Sequence, residues 1–168
     1  MLEIGDVIVH LRHGAGKVVG TQTFTRNGTE REYYCIEIVG NVGMLYIPQD
    51  SVDDSRLRYA LDDTSLIEAV MENDPEELDD NHQIRRTDIE KKIKSSNPRD
   101  VIQALRDLTW RDRNNKLTGT DQRLRDSALE RLVDELTLST SMTVEKVRAR
   151  INQITDEAMT HHLARHGG

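Results

Sequence analysis

The apolar residues of this chain change their spacing partway along it, and that change limits what each half can form. Up to Pro48 they come in short runs rich in β-branched and aromatic side chains. Residues 6–11 hold Val7, Ile8 and Val9, and residues 17–24 hold Val18, Val19, Thr21, Thr23 and Phe24. Residues 31–38 hold Tyr33, Tyr34, Cys35, Ile36 and Ile38, and Met44, Leu45, Tyr46 and Ile47 end at Pro48. Runs of this length, bounded by Gly, Asn or Pro, predict strands. Asn27 and Gly28 stand between two of them and accept the positive φ angles of a type I′ turn, which makes the flanking strands antiparallel neighbours. Gly14 and Gly16 suit a sharp turn or bulge at the entry to the second strand. Short strands so spaced make a small barrel or curled sheet with few free edges.

Beyond Pro48 the spacing becomes helical. Ser65 and Glu68 match a capping box and predict a short helix to about Met71. Residues 73–81 are acidic, contain Pro75, and read as a linker. Residues 84–94 predict a helix with Ile89 and Ile93 on one face and Arg85, Arg86, Lys91, Lys92 and Lys94 on the other. Val101, Ile102, Leu105 and Leu108 share the next face, with Asn97 as cap and Pro98 in the first turn. Leu124, Ala128, Leu129, Leu132, Val133 and Leu136 make the clearest stripe, and Val144, Val147, Ile151, Ile154 and Ala158 make another. The expected architecture is α+β: a small β-barrel over residues 1–62, a short helix and acidic linker over 63–81, and an all-α bundle of about four helices over 82–168.

The formal net charge of −7 over 168 residues argues at first sight against a nucleic-acid partner. Its distribution reverses that inference for one half. Residues 61–80 carry nine acids and no base, whereas residues 81–168 carry 17 basic and 13 acidic side chains. A basic segment thus lies behind an acidic one, which bears on partners rather than on fold. The single cysteine, Cys35, excludes an internal disulfide and suits a reducing, cytoplasmic setting. No apolar run approaches the length of a membrane span, so no membrane association is expected.

The residues of catalysis are not assembled in any recognisable motif, and the chain is not expected to be an enzyme or to need a cofactor. Gly16-Lys17 resembles the end of a phosphate-binding loop, but that motif needs glycine where Leu11 stands and Ser or Thr where Val18 stands. His162 and His166 would share a helix face, yet no third ligand has matching spacing, so a solvated tail is expected and no metal site. The carboxylates of residues 74–80 read as a solvated run rather than an acid–base pair.

Taken together in order, several fragments resemble the CarD/CdnL family of bacterial transcription regulators. They are Ile4-Gly5-Asp6-Val7-Ile8-Val9, His13-Gly14-Ala15-Gly16-Lys17-Val18, the turn at Asn27-Gly28, residues 32–38 and Met44-Leu45-Tyr46-Ile47-Pro48. In the second half they are Leu105-Arg106-Asp107-Leu108, Leu117-Thr118, and the stripe ending Asp134-Glu135-Leu136-Thr137-Leu138-Ser139. The resemblance implies a Tudor-like barrel that docks on the β subunit of RNA polymerase. It also implies a helical domain that touches promoter DNA at the upstream edge of the bubble and holds the open complex.

On that footing, Phe24, Met44, Leu45, Tyr46, Ile47 and Pro48 are the expected polymerase contacts, by strand addition along residues 44–47. His82, Arg85, Arg86, Lys91, Lys92, Arg111 and Arg123 are the expected DNA contacts, the arginines and lysines to phosphates and without sequence preference. The family commonly carries a tryptophan just before an Arg-Arg pair as a wedge at the DNA fork. Here Arg85-Arg86 aligns with that pair and His82 with the wedge, while Trp110 reads as a packing residue of a later helix. Family members often place arginine roughly where Phe24 and Tyr46 stand, so either a more apolar docking face or a different partner surface is expected. A monomer is expected, and the rival reading is a protein–protein adaptor of the transcription machinery with no DNA contact.

Overall fold

The computed structural model describes residues 1–40, 43–54 and 56–166. They form two compact units. Met1–Asp62 and Asp134–Ser141 make the first, and Asp63–Val133 with Met142–Gly168 make the second.

The first unit is built on five antiparallel strands: β1 (Val7–His10), β2 (Gly14–Arg26), β3 (Thr29–Ile38), β4 (Met44–Pro48) and β5 (Leu57–Tyr59). Asn27 and Gly28 adopt φ of 53° and 77°, and Arg26 faces Thr29 across the turn, as the expected hairpin requires. The register of β2 on β3 shifts between Val18 and Gly20, a bulge beyond the glycines expected to make one. Alternation puts Tyr34, Ile36 and Ile38 of β3 and Ile47 of β4 on the inner face with Ile8 and Val18.

The barrel expected from strand spacing is not closed. The strand order is β4-β3-β2-β1-β5, so β4 and β5 are the two edges of an open sheet. Closure would need those two strands to pair, but a 3-10 turn (Gln49–Asp54) intervenes and β5 has only three residues. Val52 of that turn packs against the core cluster. Glu135 completes this unit: its carboxylate accepts from the Arg58 guanidinium and from the Leu61 amide.

Gly16 tests how tightly this core is packed. A Cβ there would lie 2.7 Å from both Ile36 Cγ2 and Ile38 Cδ1, and 3.0 Å from the Glu37 carbonyl oxygen. Gly16→Ala is therefore expected to lower stability by about 1–3 kcal/mol, the usual range for overpacking. An unchanged midpoint in urea denaturation would show that the core yields at no cost.

The second unit contains α1 (Ser65–Glu72), α2 (His82–Ile93), α3 (Pro98–Arg113), the larger part of α4 (Gly119–Ser139) and α5 (Val144–His166). α1 starts one residue earlier than the capping-box reading requires. Thr64 is the N-cap and makes no side-chain cap bond, while the Asp63 carboxylate accepts from the Ser65 amide at 2.9 Å. α3 starts as expected, with the Asn97 side chain accepting from the Arg99 amide and Pro98 in the first turn. Ile67, Val70 and Met71 of α1 are fully buried, and α1 packs on α3 and α5.

The acidic stretch after α1 has no regular structure, but it is tied to the helices. The Glu76 amide donates to Asp107, and the Asp79 and Asp80 carbonyls accept from Arg85. The chain end is not the solvated tail expected for it. α5 continues to His166, and His162 is fully buried, its Nε2 donating to the Met71 carbonyl at 2.7 Å while Nδ1 accepts from Arg165.

Candidate functional site

On the first unit, alternation decides which of the expected docking residues are available. Ile47 is 6% exposed and belongs to the core, and Leu45 is partly buried against it. Both leave the list of side chains that could meet a partner, because residues 45 and 47 share the inward-facing phase of β4. Met44 and Tyr46 point the other way and are 41% and 42% exposed, and Phe24 is 38% exposed. Pro48 closes the strand, half-buried.

These outward residues form a patch with one that the sequence reading missed. Tyr33 packs edge-on to Phe24 at a centroid distance of 5.2 Å, and Phe24 packs edge-on to Tyr46 at 5.2 Å. Once Tyr34 is placed in the core, Tyr33 must face outward, which is the signal that could have found it. The Arg31 guanidinium lies 5.9 Å from the centre of the Tyr33 ring and is held by Asp50, with Nη2 donating to Oδ1 at 2.8 Å. The hydrogen bond from Arg31 holds the Asp50 carboxyl below the ordinary carboxylate range. The patch is thus aromatic, bordered by a charge pair that is already satisfied, and it extends to the edge strand.

On the second unit, the expected DNA contacts divide. His82, Arg86, Lys91 and Arg123 are exposed. Arg86 is bonded to Glu90 at 2.8 Å, one turn on, and Arg123 reaches the Thr120 hydroxyl at 3.3 Å. Lys92 is half-buried and donates to Gln103. Trp110 is 8% exposed, with the rings of His162 and His166 edge-on to it, in agreement with a packing role.

Arg85 and Arg111 do not belong with the exposed cations. Arg85 is 2% exposed. Its Nε donates to Asp121 Oδ1 at 2.9 Å, and Nη1 donates to the Asp79 and Asp80 carbonyls at 2.8 and 3.1 Å. The Arg111 side chain, 10% exposed, lies 3.4 Å from Asp121 Oδ2 and 3.5 Å from Asp80 Oδ1. The Arg85 guanidinium, committed to Asp121 and two carbonyls, is not free to meet a phosphate, and Arg111 leans on the same Asp121 carboxylate without a hydrogen bond to it. Arg85 reads as a surface cation by charge, but its spacing of four from Ile89 puts it on the buried stripe.

Asp121 is the centre of this cluster. It is 2% exposed and also accepts from the Thr118 amide at 3.0 Å, while the Thr118 hydroxyl accepts from the Asp121 amide at 3.2 Å. That reciprocal pair is a capping box at the start of α4. Burial pushes the Asp121 carboxyl up, but the Arg85 hydrogen bond and the Thr118 amide outweigh it, and the carboxyl ends below its ordinary range. At Asp107 the balance goes the other way. Burial raises that carboxyl, and Arg106 with the Glu76 amide offsets only part of the rise.

An open antiparallel sheet with an aromatic edge, followed in the chain by a helical unit with exposed cations, defines a two-domain binding protein. The model for the CarD-like/TRCF RID domain matches residues 2–60, and that for the CarD C-terminal domain matches residues 67–152. The chain belongs to the CarD/CdnL family. It is also similar to the transcription-repair-coupling factor of Bacillus subtilis, 40% identical over 52 residues, which are 31% of this chain and 4% of that protein. The transcription-repair-coupling factor of Staphylococcus epidermidis is 34% identical over 64 residues, 38% of this chain and 5% of that protein. The chain spans about a twentieth of the length of these curated relatives.

Proposed function

We propose that this protein is a cytoplasmic transcription regulator that grips the β subunit of RNA polymerase with its sheet. In this reading its helical unit meets promoter DNA at the upstream edge of the bubble and stabilises the open complex. The observation that carries the proposal is the outward-facing cluster of exposed Phe24 and Tyr46 with half-buried Tyr33 next to the edge strand β4, within a domain of the CarD-like/TRCF RID type. An edge strand offers unpaired main-chain groups to an added strand, and the rings next to it supply contact area. No described helix is long and apolar enough to cross a membrane.

Arg86, Lys91, Lys92 and Arg123 are the proposed DNA contacts to phosphates, and His82 the proposed contact to a base at the fork. With a formal net charge of −7, the free protein binds DNA weakly, and polymerase supplies the local concentration. The experiment is promoter occupancy of the polymerase complex with full-length protein, across several promoter sequences and salt concentrations. Arg86→Ala with Arg123→Ala should lower occupancy similarly on every sequence, and each lost phosphate contact should reduce the salt slope by about 0.9. A loss confined to one sequence would point to base readout. Polymerase binding with no response of DNA to either substitution supports the adaptor reading, which the burial of Arg85 favours.

A further inference from the structure

We infer that Arg85, Asp121 and Arg111 are positioning residues that set the leading ends of α2 and α4 against each other, so that the exposed cations on both helices present one surface to DNA. The inference rests on the DNA reading above and assigns these three side chains a role other than contact.

Its basis is where each helix is anchored. In the first half of α2, residues 82–87, Arg85 is the one buried side chain, and the apolar contacts Ile89 and Ile93 come later. At the start of α4, Asp121 is buried and the next buried residue is Ala128. No fully buried apolar side chain thus lies at the leading end of either helix, and Leu124 of α4 is only half-buried. The bond from Arg85 to Asp121 joins them, and Arg111 near the end of α3 approaches the same carboxylate from a third element. The second arm of Arg85 holds the Asp79 and Asp80 carbonyls immediately before α2.

Charge pairs this buried are poor sources of net stability, since their desolvation offsets most of their attraction, but they fix geometry. The side chains they would position are close along the chain. His82 and Arg86 lie three residues before and one after Arg85, and Arg123 lies two after Asp121. All three are exposed.

The two roles predict opposite responses. If Arg85 itself met phosphate, Arg85→Lys would keep most of the binding, because lysine preserves the charge. Asp121→Asn would then tighten binding, because it removes a negative charge and releases the guanidinium. In a positioning role lysine fails, since one ammonium cannot serve Asp121 and two carbonyls in the fork geometry. Asp121→Asn fails as well, despite the more favourable net charge.

The experiment is fluorescence anisotropy of a labelled forked duplex with full-length protein at low salt, at a temperature where circular dichroism shows each variant folded. Both variants are expected to bind about three- to thirtyfold more weakly, within the span of coupling between contacting residues. Arg123→Ala is expected to cost less in the Asp121→Asn background than in the wild type, a coupling that a loss of stability alone would not produce. Binding by Asp121→Asn equal to or tighter than wild type, or full binding by Arg85→Lys, overturns the inference while the DNA reading stands. A wild-type protein that does not bind the duplex, alone or on polymerase, overturns the DNA reading and the inference with it.

Discussion

Replacing Phe24 and Tyr46 together with alanine is expected to reduce affinity for RNA polymerase at least a hundredfold. Buried aromatic anchors at the centre of an interface typically contribute about 2 kcal/mol or more each when truncated. Phe24 packs edge-on to both Tyr33 and Tyr46, so the pair carries the patch and its removal leaves Tyr33 alone. Neither ring belongs to the core cluster of Ile8, Val18, Tyr34, Ile36, Ile38 and Ile47, so the sheet should remain folded. Isothermal calorimetry against core polymerase is the measurement. Tyr46→Phe, which keeps the ring, should bind within a fewfold of the wild type. Undiminished affinity in the folded double variant would move the interface to another face. A proline at position 47 is no substitute for this test, because Ile47 is buried and the variant would report on core packing.

The second large effect concerns His82, the first residue of α2, exposed just after the Asn81 cap. A ring at a melted fork stacks on an unpaired base, and such stacking contributes about 1–3 kcal/mol per base. Imidazole has less stacking area than indole. His82→Trp should therefore lengthen the lifetime of the open promoter complex by about tenfold, whereas His82→Ala should shorten it only slightly. The readout is the decay of open complexes after addition of a competitor. Equal lifetimes for both variants and wild type would show that position 82 touches no base and that the helix acts through phosphates alone.

How legible these features were in the sequence depended on whether a side chain's chemistry agreed with its position. The β2–β3 hairpin was legible because Asn27 and Gly28 have the one backbone geometry that the turn needs. α3 was legible because a cap, a first-turn proline and an apolar stripe all agreed. β5 was not, since three residues are too few for alternation to show. The start of α1 was displaced by one residue because Ser65 and Glu68 fit the capping pattern while Thr64 and Asp63 occupy the actual helix entry. Arg85 was misplaced because charge outweighed spacing in the reading. Its partner Asp121 is 36 residues away, and nothing local signals a pairing of that range. His162 illustrates the same limit: a polar residue near a chain end reads as exposed until α1 supplies the Met71 carbonyl that satisfies it.

The unclosed sheet has a consequence for how much of this protein a cell can tolerate. Both margins of an open sheet carry amides and carbonyls that a second chain could adopt. At β5 the margin is three residues long, too short to template much. β4 is longer, with exposed Met44 and Tyr46, and its protection is Pro48, which has no amide hydrogen to offer. In the proposed docking mode, a molecule seated on its partner would have that margin covered, whereas a surplus molecule would not. Overproduction without a matching supply of partner thus exposes a self-adhesive strand, and the chain's excess negative charge then becomes its main defence against clumping.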